Sequence, residues 1–130
     1  MIAQMAEALI YRMHRYSLLL NLPGLAITVA LAGHLVIEVA NALFALATLA
    51  LFFLAFLGEE RAYILTAVFG TAEILASIAY FYAFTTSLYS LIPMDGVAVL
   101  LIITGLGSRS RYTRAREKKH LSDFVPPAFG

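Results

Sequence analysis

The feature that most constrains this chain is an apolar run of 42 residues, from Tyr16 to Leu57, in which Glu38 is the only charged residue. A helix needs about 20 mostly apolar residues to cross roughly 30 Å of hydrocarbon. The run is therefore too long for one crossing and barely long enough for two. Charged residues make up only 13% of the 130 residues, against about 25% in a soluble domain. The sequence predicts an all-α integral membrane helical bundle with three to four transmembrane segments.

The long run divides most simply at Gly33 and His34, which gives a first span over residues 17–32 and a second over residues 35–57. Pro23 lies in the first of these spans, and proline removes a helical hydrogen bond and tends to kink or break a helix. The alternative is therefore one long tilted helix after Pro23, with residues 1–22 lying on the membrane surface.

Two further apolar segments follow. A polar break at residues 58–61, with Gly58 available to end a helix, precedes a third span over residues 62–84. The fourth segment, residues 88–106, contains Pro93 and Asp95 in its first half. It is expected either to begin irregularly at Pro93 or to be a re-entrant segment buried against its neighbours. Asp95 is interpreted as a helix N-cap in preference to a functional carboxylate.

The distribution of basic residues predicts the orientation, because Lys and Arg are enriched on the cytoplasmic side of membrane proteins. With four spans, Arg12 and Arg15, Arg61 and the basic tail all fall on one side. The sequence thus predicts a multi-pass protein of the cell membrane with both termini cytoplasmic. It divides into an amphipathic N-terminal segment (residues 1–16), a transmembrane bundle (17–107) and a basic cytoplasmic tail (108–130).

The basic tail is interpreted mainly as an anchor that fixes this orientation. Its side chains could also bind anionic lipid headgroups, at about 1 kcal/mol for each basic residue near the surface. Nothing aromatic or groove-fitting accompanies the charge, so nucleic acid is not an expected partner. The candidate headgroup ligands are Arg109, Arg111, Arg114, Arg116, Lys118 and Lys119.

Two carboxylates lie inside predicted spans, Glu38 in the second and Glu73 in the third. An ionisable side chain at membrane depth costs from about 2.5 kcal/mol upward, so such groups face protein or water. Each belongs to a polar face at helical spacing: His34, Glu38 and Asn41 in one helix, and Thr66, Gly70, Glu73, Ser77 and Tyr80 in the other. The two faces predict either a proton pathway or hydrogen bonds between helices.

Other kinds of site find little support. The chain has no cysteine and only three histidines, which excludes thiolate metal sites and a cysteine nucleophile. It contains no HExxH motif, no paired nucleophile and base, and no phosphate-binding glycine loop. No cofactor and no metal are expected, and enzymatic activity is left open only as that of a translocase subunit.

Residues 35–43, around Glu38 and Asn41, and residues 63–78, around Glu73, resemble the small K-type subunit of complex I. They are similar also to the C-type subunit of multisubunit cation/proton antiporters. The resemblance covers about 50 of the 130 residues. It implies that Glu38 and Glu73 are proton-relay carboxylates and that Asn41 matches the family's Asn. The chain departs from the family in lacking its basic loop between the first two helices and in continuing beyond a third helix.

Three classes of function remain open at this point. The first is a proton- or cation-translocating subunit of a larger membrane complex. The second is a structural or accessory subunit that packs against the helices of a partner. The third is a self-assembling protein of pilin-like or pore-forming type. The expected partners are the lipid bilayer and either other membrane subunits or further copies of the chain.

Overall fold

The protein is a bundle of four helices. The computed structural model describes the backbone of residues 2–124 and the side chains of residues 9 and 12–109. The helices are α1 (Ile2–Ala32), α2 (Leu35–Phe56), α3 (Arg61–Phe84) and α4 (Leu88–Phe124). Within residues 2–124 the structure contains no strand.

Each helix contains a segment long and apolar enough to cross a membrane. These segments are Arg12–Ala32, Leu35–Phe56, Arg61–Phe84 and Leu88–Arg109, of 21 to 24 residues each. The prediction of an all-α bundle with four such segments is thereby confirmed.

The helices form a ring in which each one packs against its neighbours in the chain and α4 closes against α1. The most extensive packing joins α4 to α1 and α3, and the least extensive joins α2 to α3. In the two diagonal pairs, α1 with α3 and α2 with α4, the helix backbones do not come into close contact within the described residues. A side chain that bridges a diagonal pair must therefore cross the centre of the bundle.

Gly33 and His34 make the turn between α1 and α2. Gly33 adopts a left-handed conformation with φ of 62°, and its N–H donates to the carbonyl of Val29 at 3.0 Å. His34 caps α2, because its Nδ1 accepts from the Val36 N–H at 3.2 Å. The division into two spans is correct and the single long helix is wrong. Helix α1 continues through Pro23, and the division of the chain into an N-terminal segment over residues 1–16 and a bundle stays a prediction.

Gly58 ends α2 as the sequence predicts. Its φ of 79° lets its N–H reach the carbonyl of Ala55 at 3.1 Å, while the Glu59 N–H reaches that of Leu54 at 3.1 Å. These two bonds form a Schellman motif, which satisfies carbonyls at the helix end.

Both expectations for the start of the fourth segment are wrong. Helix α4 begins at Leu88 and contains Pro93. Ser87 acts as its N-cap, since its Oγ accepts from the Ser90 N–H at 3.3 Å, a bond that stabilises a helix start by about 1 kcal/mol. Asp95 therefore lies inside the helix and is not its cap.

Two glycines bring α3 and α4 into close backbone contact. A Cβ atom at Gly105 would lie 2.6 Å from the carbonyl oxygen of Tyr63. A Cβ atom at Gly70 would lie 2.7 Å from the carbonyl oxygen of Ala98. Small residues at such positions allow the backbones of membrane helices to approach closely.

The outer surface of the bundle is apolar and much of its interior is polar. Tyr82 and Tyr89 are the most exposed of the large hydrophobic residues, at 76% and 78%, and both lie near the turn between α3 and α4. Tyrosine is enriched at the boundary between membrane and water. The two exposed tyrosines are therefore typical of a helix end that lies at such a boundary. Large exposed side chains along the four helices include Leu19, Ile27, Val39, Leu43, Leu46, Phe53, Val68, Leu75, Val99 and Ile103.

Candidate functional site

The buried polar side chains follow the centre of the bundle along most of its length. Four of them lie on one face of α1, and α3 contributes a matching face. They are His14, Ser17, Asn21 and Thr28 on α1, and Thr66, Glu73 and Ser77 on α3. Because α1 and α3 are a diagonal pair, these two faces meet across the interior.

The central group is formed by Asn21, Thr48 and Glu73, from three different helices. Asn21 Nδ2 donates to Glu73 Oε1 at 2.7 Å and to Thr48 Oγ1 at 2.8 Å. Thr48 Oγ1 in turn donates to the carbonyl of Phe44 at 2.7 Å. Glu73 and Asn21 are both 0% exposed. A single amide therefore ties α1 to α2 and α3 at the carboxyl group.

Two oxygen atoms of this central group have no hydrogen-bond partner among the described residues. They are Glu73 Oε2 and Asn21 Oδ1. Buried polar atoms are nearly always hydrogen-bonded, and an unpaired one costs about 1–3 kcal/mol. The two atoms therefore offer an acceptor site for a proton, a water molecule or a cation.

Glu73 lies near the middle of α3. It is the 13th of the 24 residues of α3, which places it about 18 Å along a helix of about 36 Å. No Lys or Arg occurs between Arg15 and Arg61 or between Arg61 and Arg109. The Arg residues of the four spans thus lie only near the span ends, and the middle of each span supplies no Lys or Arg to neutralise this carboxylate.

A second polar contact lies nearer the end of the bundle where α1 begins. His14 Nε2 and Thr66 Oγ1 are 3.0 Å apart. Thr66 Oγ1 already donates its only hydrogen to the carbonyl of Ala62, at 2.6 Å. Because a hydroxyl has a single O–H, His14 Nε2 must be the donor in the contact with Thr66.

A third polar contact lies on the other side of Glu73. Tyr80 Oη donates to Asn41 Oδ1 at 3.0 Å, and Asn41 Nδ2 donates to the carbonyl of Leu25 at 3.2 Å. Thr86 Oγ1 donates to the carbonyl of Tyr80 at 3.1 Å. Together these bonds join α1, α2 and the end of α3.

The structure buries some of the residues that the sequence singled out and leaves others at the surface. Asn41, Glu73 and Ser77 lie in the interior, whereas Glu38 is exposed and His34 serves as a helix cap. Of the three residues that the sequence places on one polar face of α2, Asn41 alone is buried within the bundle, and the contact of Glu38 with a partner or with water stays a prediction. Helix α2 turns Ile37 inward, and adjacent helical positions are about 100° apart, which rotates Glu38 out of the core.

Glu38 still lies at the edge of the site. A cleft of about 250 Å³ between α1 and α2 is lined by apolar side chains together with Glu38 and Asn41.

The prediction that the basic tail meets lipid headgroups stays a prediction. Arg109 is exposed, and the side chains of the others, Arg111, Arg114, Arg116, Lys118 and Lys119, lie outside the described residues.

Sequence analysis missed Asn21, which holds the carboxyl group, and His14 and Ser17 on the same face of α1. The available signal was their helical spacing with Thr28, at intervals of three, four and seven residues. A cluster of three or more His, Cys, Asp or Glu side chains suited to a metal ion is not found in the described part of the chain.

No protein-family model, no curated protein and no solved structure matches the chain. The resemblance to the K-type subunit, which rests on Glu38, Asn41 and Glu73, stays a prediction.

Proposed function

We propose that this chain is a small multi-pass membrane protein, a subunit of a larger membrane complex, in which Glu73 carries protons across the centre of the bundle. The observation that supports this proposal most strongly is the state of Glu73 itself. Its side chain is completely buried, one carboxyl oxygen accepts from Asn21, and the other has no partner among the described residues. A carboxyl group held in this way has one oxygen free to take up and release a proton.

A proton fits the free oxygens better than a metal ion does. Glu73 Oε2 and Asn21 Oδ1 are the two unpartnered oxygens of the central group. Ca²⁺ takes about six to eight oxygen ligands, and Mg²⁺ requires a near-octahedral set. A proton requires only one oxygen to hold it and one to accept its hydrogen bond. The coupling ion that we propose is therefore the proton.

The polar groups on either side of Glu73 supply the rest of a route. Thr66 and His14 lie about two helical turns away towards one end, and Ser77 and Tyr80 lie one and two turns away towards the other. A turn of helix rises about 5.4 Å, so one water molecule can bridge the gap between Glu73 and Ser77. The two turns between Glu73 and Thr66 rise about 11 Å and need more than one water molecule. Protons would then move between side chains through intervening water.

The second candidate function is an accessory subunit in which the same groups only hold helices together. The observation that favours it is the pair of hydrogen bonds donated by the Asn21 side chain to Thr48 and Glu73, which join three helices. Interhelical hydrogen bonds in membranes contribute about 0.6 kcal/mol on average. Assembly would then depend on Glu73, whereas titration of its carboxyl group would not matter.

Replacing Glu73 with Gln separates the two candidates, since Gln keeps the shape and one acceptor but cannot titrate. The tagged chain is purified with its complex in mild detergent, its partners are identified by mass spectrometry, and the particle is reconstituted into liposomes. Proton uptake driven by a potassium diffusion potential is then measured with a trapped pH dye. We expect Glu73→Gln to assemble normally and to lose at least about 10-fold in flux, as loss of a proton-transfer group does.

The matched control is Glu59→Gln, which makes the same change in the exposed turn between α2 and α3. We expect this variant to assemble and to conduct as the wild type does. Wild-type flux in a normally assembled Glu73→Gln complex would show that the carboxyl group is structural and would favour the accessory subunit.

The proposal includes an orientation with both termini in the cytoplasm, which rests on the one-sided Lys and Arg distribution. The chain has no cysteine, so Ile2→Cys and Ala128→Cys each introduce a single thiol. In sealed cells we expect both thiols to be protected from an impermeant maleimide and to react once the cells are opened. A difference between the two positions would mean an odd number of crossings.

A further inference from the structure

A groove at the end of α3 and the start of α4 reaches from the bundle surface to Ser77, which lies one helical turn from Glu73. It has a volume of about 340 Å³ and is lined by Ser77, Ile78, Phe81, Tyr82, Leu88 and Leu91 together with Asp95. This volume is large enough to hold several water molecules. The outer part of the groove lies beside Tyr82 and Leu88, close to the turn between the two helices.

Asp95 is the only charged residue that lines the groove. Its Oδ1 is buried and has no hydrogen-bond partner among the described residues. Ser77 lies beside it at the inner end of the groove. Ser77 is also one helical turn from Glu73 on α3, and Glu73 and Asp95 lie close enough for their charges to interact.

The bundle is packed differently on the other side of Glu73. There Gly70 and Gly105 hold α3 and α4 in backbone contact, and Ser17, His14 and Thr66 are all buried. On that side the backbones of α3 and α4 are therefore in contact, whereas a groove lies between the two helices at Asp95.

From this arrangement we infer that the groove between α3 and α4 is the route by which protons enter, and that Asp95 is the relay carboxylate that passes them to Glu73. The inference rests on the proposed function of Glu73 and adds the side of entry and a second proton-carrying residue. The Asp95 carboxylate takes a proton from a hydronium ion in the groove water, leaving water, and passes it through water at Ser77 to the Glu73 carboxylate. Glu73 then releases its proton towards Thr66 and is ionised again. Asp95 is left ionised and ready for the next proton, so the charge balances at each transfer.

The first part of the test replaces Asp95 with Asn in the reconstituted complex. The Tyr80 and Tyr82 hydroxyls are the other titratable groups near the route, and both remain in this variant. We expect proton flux to fall about 10-fold, because a group that transfers protons is lost while its shape is kept. Asp95→Glu keeps a carboxyl group and is expected to recover flux, which a purely structural role for Asp95 would not predict.

The second part closes the groove chemically. Leu88 and Tyr89 are neighbours with similar exposure, 66% and 78%, but only Leu88 lines the groove. Leu88→Cys and Tyr89→Cys are each treated with a bulky, charged methanethiosulfonate reagent that reacts with thiols exposed to water. We expect the modified Leu88→Cys complex to lose flux and to regain it when a reductant removes the label. The modified Tyr89→Cys complex should conduct normally.

Wild-type flux in Asp95→Asn, or equal flux in the two labelled cysteine variants, would overturn the entry route. If the Glu73→Gln complex loses its proton flux in the same preparation, the proposed function still stands and only the route is wrong. If Glu73→Gln conducts like the wild type, or if the wild type conducts no protons, the proposed function and the route both fail.

Discussion

Gly105→Ala is expected to destabilise the bundle by about 1–3 kcal/mol, the range seen when an extra methyl group is forced into a packed interior. The new Cβ would lie 2.6 Å from the carbonyl oxygen of Tyr63 and 3.1 Å from the amide nitrogen of Ala67. Both are backbone atoms of α3, so no change of rotamer can relieve the clash. Helix α4 would have to move away from α3, and α4 is the most extensively packed helix of the bundle.

Gly96→Ala is the matched control, because it makes the same change in the same helix where a Cβ would meet nothing within 4 Å. It is expected to leave stability unchanged or to raise it by up to about 1 kcal/mol, since Ala favours helix more than Gly does. Unfolding in mixed micelles of increasing SDS fraction, followed by circular dichroism, measures both variants. Equal stability of the two would show that α3 and α4 are not in backbone contact at Gly105.

The positions of the helices could be read from the sequence because one strong rule governs them. A membrane-crossing helix must be long and apolar, and the glycines at 33 and 58 end helices by adopting positive φ. The start of α4 differs from the sequence prediction because Pro93 is tolerated within the helix. The readable signal is Ser87, a serine directly before an apolar run, which is typical of an N-cap.

The candidate site was only partly predictable. The sequence indicates that Glu73 and Ser77 avoid lipid, since the cost of exposing a carboxyl group there is large. It does not indicate that Asn21 is the partner of Glu73, 52 positions away in the chain. That pairing depends on the rotation and vertical register of α1 against α3, which are determined by packing. The same freedom turned Ile37 inward on α2 and left Glu38 at the surface.

The contact between Asn21 and Glu73 predicts a second large effect. Asn21→Leu removes the donor to Glu73 Oε1 and to Thr48 Oγ1, and it leaves both carboxyl oxygens buried without a partner. We expect a loss of about 1–3 kcal/mol in the free energy of unfolding, the cost of an orphaned buried polar group. Glu73→Leu should be similarly destabilising, because it leaves the Asn21 amide with one bond fewer and Oδ1 still unpaired.

The double variant Asn21→Leu with Glu73→Leu is the decisive measurement. Once both polar groups are gone, neither is left orphaned, and replacing both partners of a buried hydrogen bond can be nearly neutral. We therefore expect the double variant to lose less stability than the sum of the two single variants, by about 1 kcal/mol or more. The control pairs Glu73→Leu with Asn41→Leu. Asn41 accepts a hydrogen bond from Tyr80, which lies two turns from Glu73 on α3. The stability losses of the two single variants should therefore add. Additive losses in the Asn21 pair as well would mean that Asn21 does not hold the carboxyl group of Glu73.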